Sequence, residues 1–120
     1  MQSLTKEEAI KKHRLMWVWI AQTSIQEQRC VTKEEAFQHF GWPMVYGYCW
    51  CCEYARQTRN KYNPYLLRCL FCPISWGTET CISNVSYFYL WKYTITWSND
   101  YIVAAKYAYK IAELPEQKSK

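Results

Sequence analysis

The chain has 120 residues and a mass of 14.5 kDa; 50% of its residues are hydrophobic and its formal net charge is +5. This length and composition predict one globular domain with a real core and argue against disorder. The longest apolar run, residues 15–21, is much shorter than the about 18 residues that cross a membrane, and the N-terminus lacks the apolar region of a secretory signal. We therefore expect no membrane association and a reducing compartment for the seven cysteines.

The first predicted element is a long helix over residues 6–28. Thr5 and Glu8 have the spacing of a capping box, and neither Gly nor Pro interrupts the pattern before Arg29. The middle of this helix is apolar nearly all round, which predicts burial on more than one side. We expect the rest of the chain to pack against it.

A second, shorter helix is predicted over residues 33–40. Thr32 and Glu35 repeat the capping box, and Gly41 stands where a helix commonly ends. The residue before Pro43 is forced out of the helical conformation. The chain then enters the next segment through residues 45–48, either as irregular chain or as a short strand.

Residues 45–77 carry the most specific pattern, two Cys-x2-Cys pairs separated by sixteen residues. Each pair can turn two sulfurs toward one point, and a tetrahedral zinc ion needs two such pairs. Four thiolates fill the shell of the ion and leave no position for water or substrate, which predicts a structural site. The predicted ligands are Cys49, Cys52, Cys69 and Cys72.

Several other donors compete for this role. We expect Cys51 to point elsewhere, Cys81 to be a reserve ligand, and His13 or His39 to be more distant reserves. A redox-active dithiol is the alternative for a single Cys-x2-Cys pair, but two pairs without a βαβ pattern disfavour it.

Between the pairs, basic residues alternate with tyrosines. Cations that meet phosphates and rings that stack on bases would suit a nucleotide or a single-stranded nucleic acid. Alternatively, the cations balance the charge of the zinc–thiolate centre. We expect about two helical turns over residues 53–59 and a loop over residues 60–64. The candidates are Tyr54, Arg56, Arg59, Lys61, Tyr62, Tyr65 and Arg68.

Two more helices are predicted after the zinc segment. Residues 84–93 have mixed periodicity, which favours a helix with a strand as the alternative. Residues 98–114 begin with an N-cap cluster and carry one apolar stripe at Ile102, Ala105, Tyr109 and Ala112. The predicted fold is therefore mainly α, with a small α+β fold left open. One helical domain over residues 1–120 is stapled by a four-cysteine zinc knuckle or ribbon-like insert.

The chain has an excess of aromatic residues, with seven Trp, eleven Tyr and four Phe. Tyr and Trp favour interfaces because they bury a large area at low rotamer cost. We expect some of them to form a partner surface, although half could instead pack around the zinc segment. The candidates are Tyr46, Tyr48, Trp50, Tyr87, Tyr93 and Trp97, with Tyr101 and Tyr107 as further members.

No catalytic pattern is present. The carboxylate pairs at residues 7–8 and 34–35 lie in first helical turns, where acids complement the helix dipole. The three glycines form no phosphate loop. We predict that the protein is not an enzyme.

Short motifs along most of the chain resemble a family of small uncharacterised phage and prophage proteins. They are Lys6-Glu-Glu-Ala-Ile10, His13-Arg14, Met16-Trp17, Cys-x2-Cys-Glu-Tyr-Ala at residues 49–55, Cys-x2-Cys-Pro-Ile-x-Trp-Gly at residues 69–77, Ala104-Ala105 and Ile111-Ala-Glu-Leu-Pro-Glu116. The resemblance implies a virus-encoded protein in the bacterial cytoplasm.

Small phage accessory proteins commonly act by binding. We expect a non-catalytic protein that binds and inhibits a host defence protein through its aromatic surface. The alternative is a nucleotide or nucleic-acid sequestering protein that uses residues 54–68. The sequence leaves open whether the protein forms a homo-oligomer.

Overall fold

The computed structural model describes residues 4–62, 71–76 and 86–117, apart from the side chain of Tyr46. These residues form five α-helices: α1 (Lys6–Glu27), α2 (Lys33–Phe40), α3 (Trp50–Tyr62), α4 (Tyr87–Tyr93) and α5 (Tyr101–Ala112). The same residues contain no β-strand, only one isolated bridge. The prediction of a mainly α fold is confirmed.

Helix α1 is the central helix, as predicted. The Thr5 hydroxyl accepts a hydrogen bond from the Glu8 N–H at 3.1 Å, and Gln28 ends the helix with a left-handed φ of 55°. Met16 and Ile20 are completely buried. The helix packs against α2, α3 and α5, which explains why its middle is apolar on several sides.

Helix α2 has the predicted bounds and the predicted caps. The Thr32 and Glu35 side chains each bind the other residue's backbone N–H, and Gly41 ends the helix with a φ of 67°. Glycine adopts this left-handed conformation without strain. The short strand considered after it is wrong, because Tyr46–Tyr48 is a 3-10 turn.

Helix α3 is longer than the sequence suggested. It begins at Trp50, three residues before the predicted start, and continues to Tyr62 through residues 60–62, which were expected to be loop. Asn60 and Lys61 are exposed, so polarity there reflects a solvent-facing helix end and not a loop. The remainder of the predicted loop lies outside the described residues.

Residues 87–93 form helix α4, so the strand alternative is wrong. Ser86 caps its N-terminus by accepting a hydrogen bond from the Tyr89 N–H at 3.1 Å. The predicted start at residue 84 lies outside the described residues. A π-helical turn, Thr94–Ser98, follows α4 directly and was not predicted.

Helix α5 begins at Tyr101, since Asp100 is its N-cap and binds the N–H groups of Ile102 and Val103. The predicted start at residue 98 was therefore too early. Its buried face is small, with Ala104, Ala105, Ala108 and Ala112 all less than 10% exposed. Small side chains let α5 lie close to α1.

Half of the predicted stripe on α5 is buried, since Ala105 and Ala112 are less than 10% exposed. Ile102 is 48% exposed and Tyr109 is 37% exposed, although both were assigned to the apolar face. Ala104, Ala108 and Ile111, which were not assigned to the stripe, complete the buried face.

The C-terminal residues fix the segment that follows the second cysteine pair. Ile74 and Glu116 form an antiparallel bridge, the Ser75 N–H donates to the Pro115 carbonyl at 2.9 Å, and the Gln117 N–H donates to the Pro73 carbonyl at 2.8 Å. Arg14 of α1 also donates to the Leu114 carbonyl at 3.2 Å. Residues 71–76 are thereby held against the helical core.

Aromatic rings join the helices at the centre. The Trp17 ring of α1 meets the Trp91 ring of α4 edge-on at 4.7 Å between centroids and the Phe88 ring at 6.3 Å. Such edge-to-face pairs add to the stabilisation from burial alone. None of the described helices is long and apolar enough to cross a bilayer.

Candidate metal centre and partner surface

The first cysteine pair lies at the N-terminus of α3. Cys49 precedes the helix, and its sulfur accepts a hydrogen bond from the Cys52 N–H at 3.4 Å. The Cys49 carbonyl accepts from the Glu53 N–H at 2.9 Å, so the turn is already helical there.

The described member of the second pair, Cys72, lies close to the first pair. It is buried in the segment held by the C-terminal bridge, and its thiol is within hydrogen-bonding reach of the Cys51 thiol. Cys51 is completely buried and lies near both Cys49 and Cys52. Cys72 therefore lies close to the first cysteine pair, and Cys51 lies beside it although we expected Cys51 to point away.

The thiols of this cluster strongly favour their protonated form. The hydrogen bond with Cys52 and then burial raise the pKa of Cys49 well above its usual value, and the nearby His13 opposes the shift. Burial and then the contact with Cys72 raise the pKa of Cys51 in the same direction. A bound metal ion would oppose this shift, because the thiolate is the form of cysteine that binds metal.

Two of the predicted donors, Cys69 and Cys81, lie outside the described residues. Within residues 4–62, 71–76 and 86–117, no three His, Cys, Asp or Glu side chains are grouped closely enough to hold a metal ion as they stand. The described donors instead form contacting pairs, Cys49 with Cys52 and Cys51 with Cys72. Soft thiolates nevertheless remain the donor type that zinc prefers.

His13 completes this group of donors from the side of α1. It is 0% exposed, and its ring lies within reach of the Cys49 thiol. Its ring lies edge-on to the Trp17 ring at 6.4 Å and to the Trp76 ring at 5.9 Å. The other reserve ligand, His39, is exposed and stacks on the Trp19 ring at 4.6 Å.

A buried carboxylate lies one residue after the first cysteine pair. Glu53 is 2% exposed and accepts hydrogen bonds from the Arg56 guanidinium and, at 2.8 Å, from the Gln57 amide. The Gln57 oxygen in turn accepts from the Leu4 N–H at 3.0 Å. This network ties α3 to the residues that precede α1.

The basic and aromatic residues of α3 do not form one face. At 3.6 residues per turn, Arg56 and Arg59 lie on the side of the helix opposite Tyr54 and Lys61. Arg56 is held by Glu53, and Arg59 donates to the Asn60 side chain at 3.1 Å. Tyr62 is 77% exposed and stacks on Phe71 at 6.2 Å, whereas Tyr65 and Arg68 lie outside the described residues.

The predicted partner surface is divided by the fold. Trp50 was assigned to it, but it is 5% exposed, because its ring stacks on Phe37 at 5.8 Å and Lys12 covers it at 4.1 Å. Its place in a partner surface was therefore wrong. Tyr48 and Tyr87 are half-buried, as are Tyr101 and Tyr107, and the side chain of Tyr46 is outside the described residues.

Tyr93 and Trp97 do lie on an exposed surface, together with Tyr89. Their exposed fractions are 40% for Tyr89, 56% for Tyr93 and 75% for Trp97. Consecutive ring centroids are 6.5 Å apart in both pairs. We call Tyr89, Tyr93 and Trp97 the aromatic ladder.

Sequence reasoning missed three participants: Tyr89, Glu53 and the central position of His13. The role of Tyr89 could have been predicted from the sequence, because residues four apart on a helix share a face and Tyr93 and Trp97 continue its series. Glu53 gave no signal, because an acid in a first helical turn is commonly exposed. The sequence did give a signal for His13, because it falls on the apolar stripe of α1 and should therefore be buried.

Comparison with known protein-family models, curated proteins and solved structures finds no match to this chain.

Proposed function

We propose that the protein is a non-catalytic binding protein whose aromatic ladder engages a protein partner, and whose fold is stapled by a structural zinc ion held by the cysteines of residues 49–72. The observation that carries the binding role is the ladder itself. Three large aromatic rings are exposed in one row along α4 and the π-helical turn that follows it, while Trp91 on the other side of α4 is buried. Tyr and Trp in such positions are typical of interface residues that contribute most to affinity.

The backbone beneath the ladder is held in place. The π-helical turn carries three side-chain hydroxyls that return hydrogen bonds to carbonyls four residues earlier: Thr94 to Leu90 at 2.7 Å, Thr96 to Lys92 at 2.7 Å and Ser98 to Thr94 at 3.1 Å. Asn99 ends the turn with a φ of 56°. Single π-helical turns frequently occur at functional sites. A fixed backbone lowers the entropy cost when the rings bind.

Charge around the ladder favours a partner that is apolar or acidic at the contact. Between Ser86 and Asn99 the only charged residue is Lys92, which is exposed. The chain as a whole carries a net charge of +5. A partner in a bacterial host is what the resemblance to phage proteins implies, and inhibition of that host protein is the activity we propose.

Nucleic-acid binding by α3 has less support. Its arginines and Tyr54 point to different sides of the helix, and Arg56 is held by a buried carboxylate. A phosphate-binding track needs several cations along one groove. If binding to a partner fell steeply with added salt and was independent of the ladder, it would favour that alternative.

The test compares the parent with a Tyr89→Ser/Tyr93→Ser/Trp97→Ser variant on bacterial lysate. The control is Met44→Ser/Tyr62→Ser, which removes two side chains that are 72% and 77% exposed elsewhere on the molecule. We expect a protein that the parent and the control retain and the ladder variant does not. Mass spectrometry identifies it, and calorimetry with the purified protein measures the affinity.

With the purified partner, Trp97→Ser alone should weaken binding by about 30-fold, as expected for an interface residue worth about 2 kcal/mol. One equivalent of the protein should also lower the partner's own activity. The proposal is wrong if no protein distinguishes parent from ladder variant. It is also wrong if sedimentation shows that the ladder is covered by a second copy of this chain.

A further inference from the structure

We propose that the aromatic ladder recognises a proline-rich segment of its partner in the extended polyproline II conformation. This inference rests on the proposed function, because it names the kind of segment that the protein partner presents to the ladder. Four properties of the ladder carry it: its width, the spacing of its rings, the hydrogen-bonding groups that it offers, and its charge.

The ladder is a strip only one ring wide. Lys92 and Thr96, which form the neighbouring row on the same side of the helix, are exposed and polar. On the other side of the ladder Leu90 is half-buried and Thr94 is buried, so the exposed apolar surface does not widen there. A partner helix is about 10 Å across and buries a broad apolar stripe, which would cover the Lys92 ammonium. A single extended chain fits the strip better.

The rings are spaced at the repeat of an extended chain. The Tyr89 and Tyr93 centroids are 6.5 Å apart, as are those of Tyr93 and Trp97, with interplanar angles of 23° and 44°. Polyproline II rises about 3.1 Å per residue, so two residues cover about 6.2 Å. A segment of about four residues would therefore contact all three rings. Aromatic-lined surfaces are the sites on which proline-rich segments dock.

The ladder offers hydrogen-bond donors. Its polar atoms are the two Tyr hydroxyls, the Trp97 indole N–H and, beside them, the Lys92 ammonium. The backbone carbonyls of Leu90, Lys92 and Thr94 already accept hydrogen bonds from hydroxyls of the π-helical turn. A ligand that is rich in acceptors and poor in N–H donors complements such a surface. Proline has no N–H, and the carbonyls of polyproline II make no internal hydrogen bonds.

A β-strand has nearly the same spacing but needs a different surface. A strand binds by pairing its N–H and C=O groups with the edge of a sheet. The ladder lies on helix α4 and the π-helical turn after it, which have no such edge.

Charge adds one feature to the expected segment. Lys92 is the only charged residue between Ser86 and Asn99, and the chain as a whole carries a net charge of +5. An acidic residue beside the prolines would complement the exposed Lys92 ammonium. We therefore expect Asp or Glu next to the proline-rich segment.

Fluorescence anisotropy with the purified full chain tests the recognition of proline directly. The probe is a labelled octaproline peptide flanked by aspartates, and the comparison peptide has alanine in place of every proline. We expect the parent and the Met44→Ser/Tyr62→Ser control to bind the proline peptide at least about 10-fold more tightly, because it is already extended. The Tyr89→Ser/Tyr93→Ser/Trp97→Ser variant should lose this preference. Equal affinity for the two peptides, or binding of neither, would overturn the inference.

Tyr93→Phe tests the contribution of the donors, because it keeps the ring and removes the hydroxyl. It should weaken binding of the proline peptide by about 5-fold, the usual effect of one lost hydrogen bond. Parental affinity of Tyr93→Phe would contradict the role assigned to the hydroxyl.

The partner identified through the ladder separates this inference from the proposed function. Replacing the prolines of its ladder-binding region by alanine should weaken binding by at least about 10-fold. If that replacement has no effect, or the region lacks proline, the inference fails while a ladder-dependent protein partner stands. If oligothymidylate binds through the ladder and neither peptide does, both proposals fail.

Discussion

Glu53 and Arg56 form an ion pair across one turn of α3, with the carboxylate 2% exposed and the arginine side chain 35% exposed. The two residues are close in sequence, but the Glu53 carboxylate is buried. Arg56 therefore has a structural task, although the sequence suggested a role in binding phosphate.

Arg56→Met should lower the free energy of unfolding by about 2 kcal/mol, because it removes a charged hydrogen bond from a buried carboxylate that keeps its bond to Gln57. Urea unfolding measures the change. Arg59→Met is the control and should change stability by less than about 0.5 kcal/mol, since Arg59 meets only an exposed Asn60. Equal effects of the two substitutions would contradict the structural role.

Truncation of Trp91 should lower the stability of the protein strongly, whereas truncation of Trp97 should leave it nearly unchanged. Trp91 is 2% exposed and packs on Trp17, so Trp91→Ala should cost about 3–5 kcal/mol of stability. Trp97 is 75% exposed, and Trp97→Ala should change stability by less than about 0.5 kcal/mol. Thermal and urea unfolding of both variants check this. A large loss for Trp97→Ala would mean that the ladder serves the fold and not a partner.

The capping box of α2 should make part of the stability depend on pH. Partial burial opposes ionisation of Glu35, but the Thr32 N–H and the Arg29 guanidinium outweigh it and hold the pKa of Glu35 below its usual value of 4.5. A lowered pKa means that the stabilisation is complete above the unfolded value and is lost as the pH falls through the folded one.

Glu35→Gln should therefore lose less stability than the parent between about pH 6 and about pH 3. Unfolding titrations at the two pH values measure the difference. Glu34→Gln, which removes the neighbouring exposed carboxylate, is the control substitution. Identical pH dependence for Glu35→Gln would show that the Glu35 carboxylate gains nothing from its partners.

Substitution of the cysteines should separate ligands from bystanders. Cys52→Ser should remove most of the stability that zinc confers, which is of the order of 10 kcal/mol in small zinc domains. Cys30→Ser should be mild, since Cys30 is half-buried and far in sequence from the cluster. Melting with and without a chelator measures both effects. A Cys52→Ser variant that melts like the parent would contradict the zinc centre.

Local signals in the sequence predicted the helices well. The capping boxes at Thr5 and Thr32 and the glycine at residue 41 act within a few residues, so helices α1 and α2 were located to within one residue. The end of α5 was less accurate, because Leu114 lies past the last turn although no breaker precedes Pro115.

Features that depend on tertiary packing were not predictable in the same way. Trp50 was assigned to the surface because the residues next to it in the sequence do not indicate that the Phe37 ring and the Lys12 side chain cover it. The stripe on α5 was only half right, because the spacing of apolar residues did not separate the exposed Ile102 and Tyr109 from the buried Ala105 and Ala112. His13 was ranked last among the reserve ligands because its nearness to Cys49 arises only when α1 packs on α3.

Metal analysis of folded protein, purified under reducing conditions with zinc in the growth medium, tests the central claim most directly. We predict about one zinc ion per chain, with a chelator removing the ion and the cooperative unfolding transition together. Protein that is folded, reduced and free of zinc, and whose melting is unchanged by added zinc or chelator, would contradict the account.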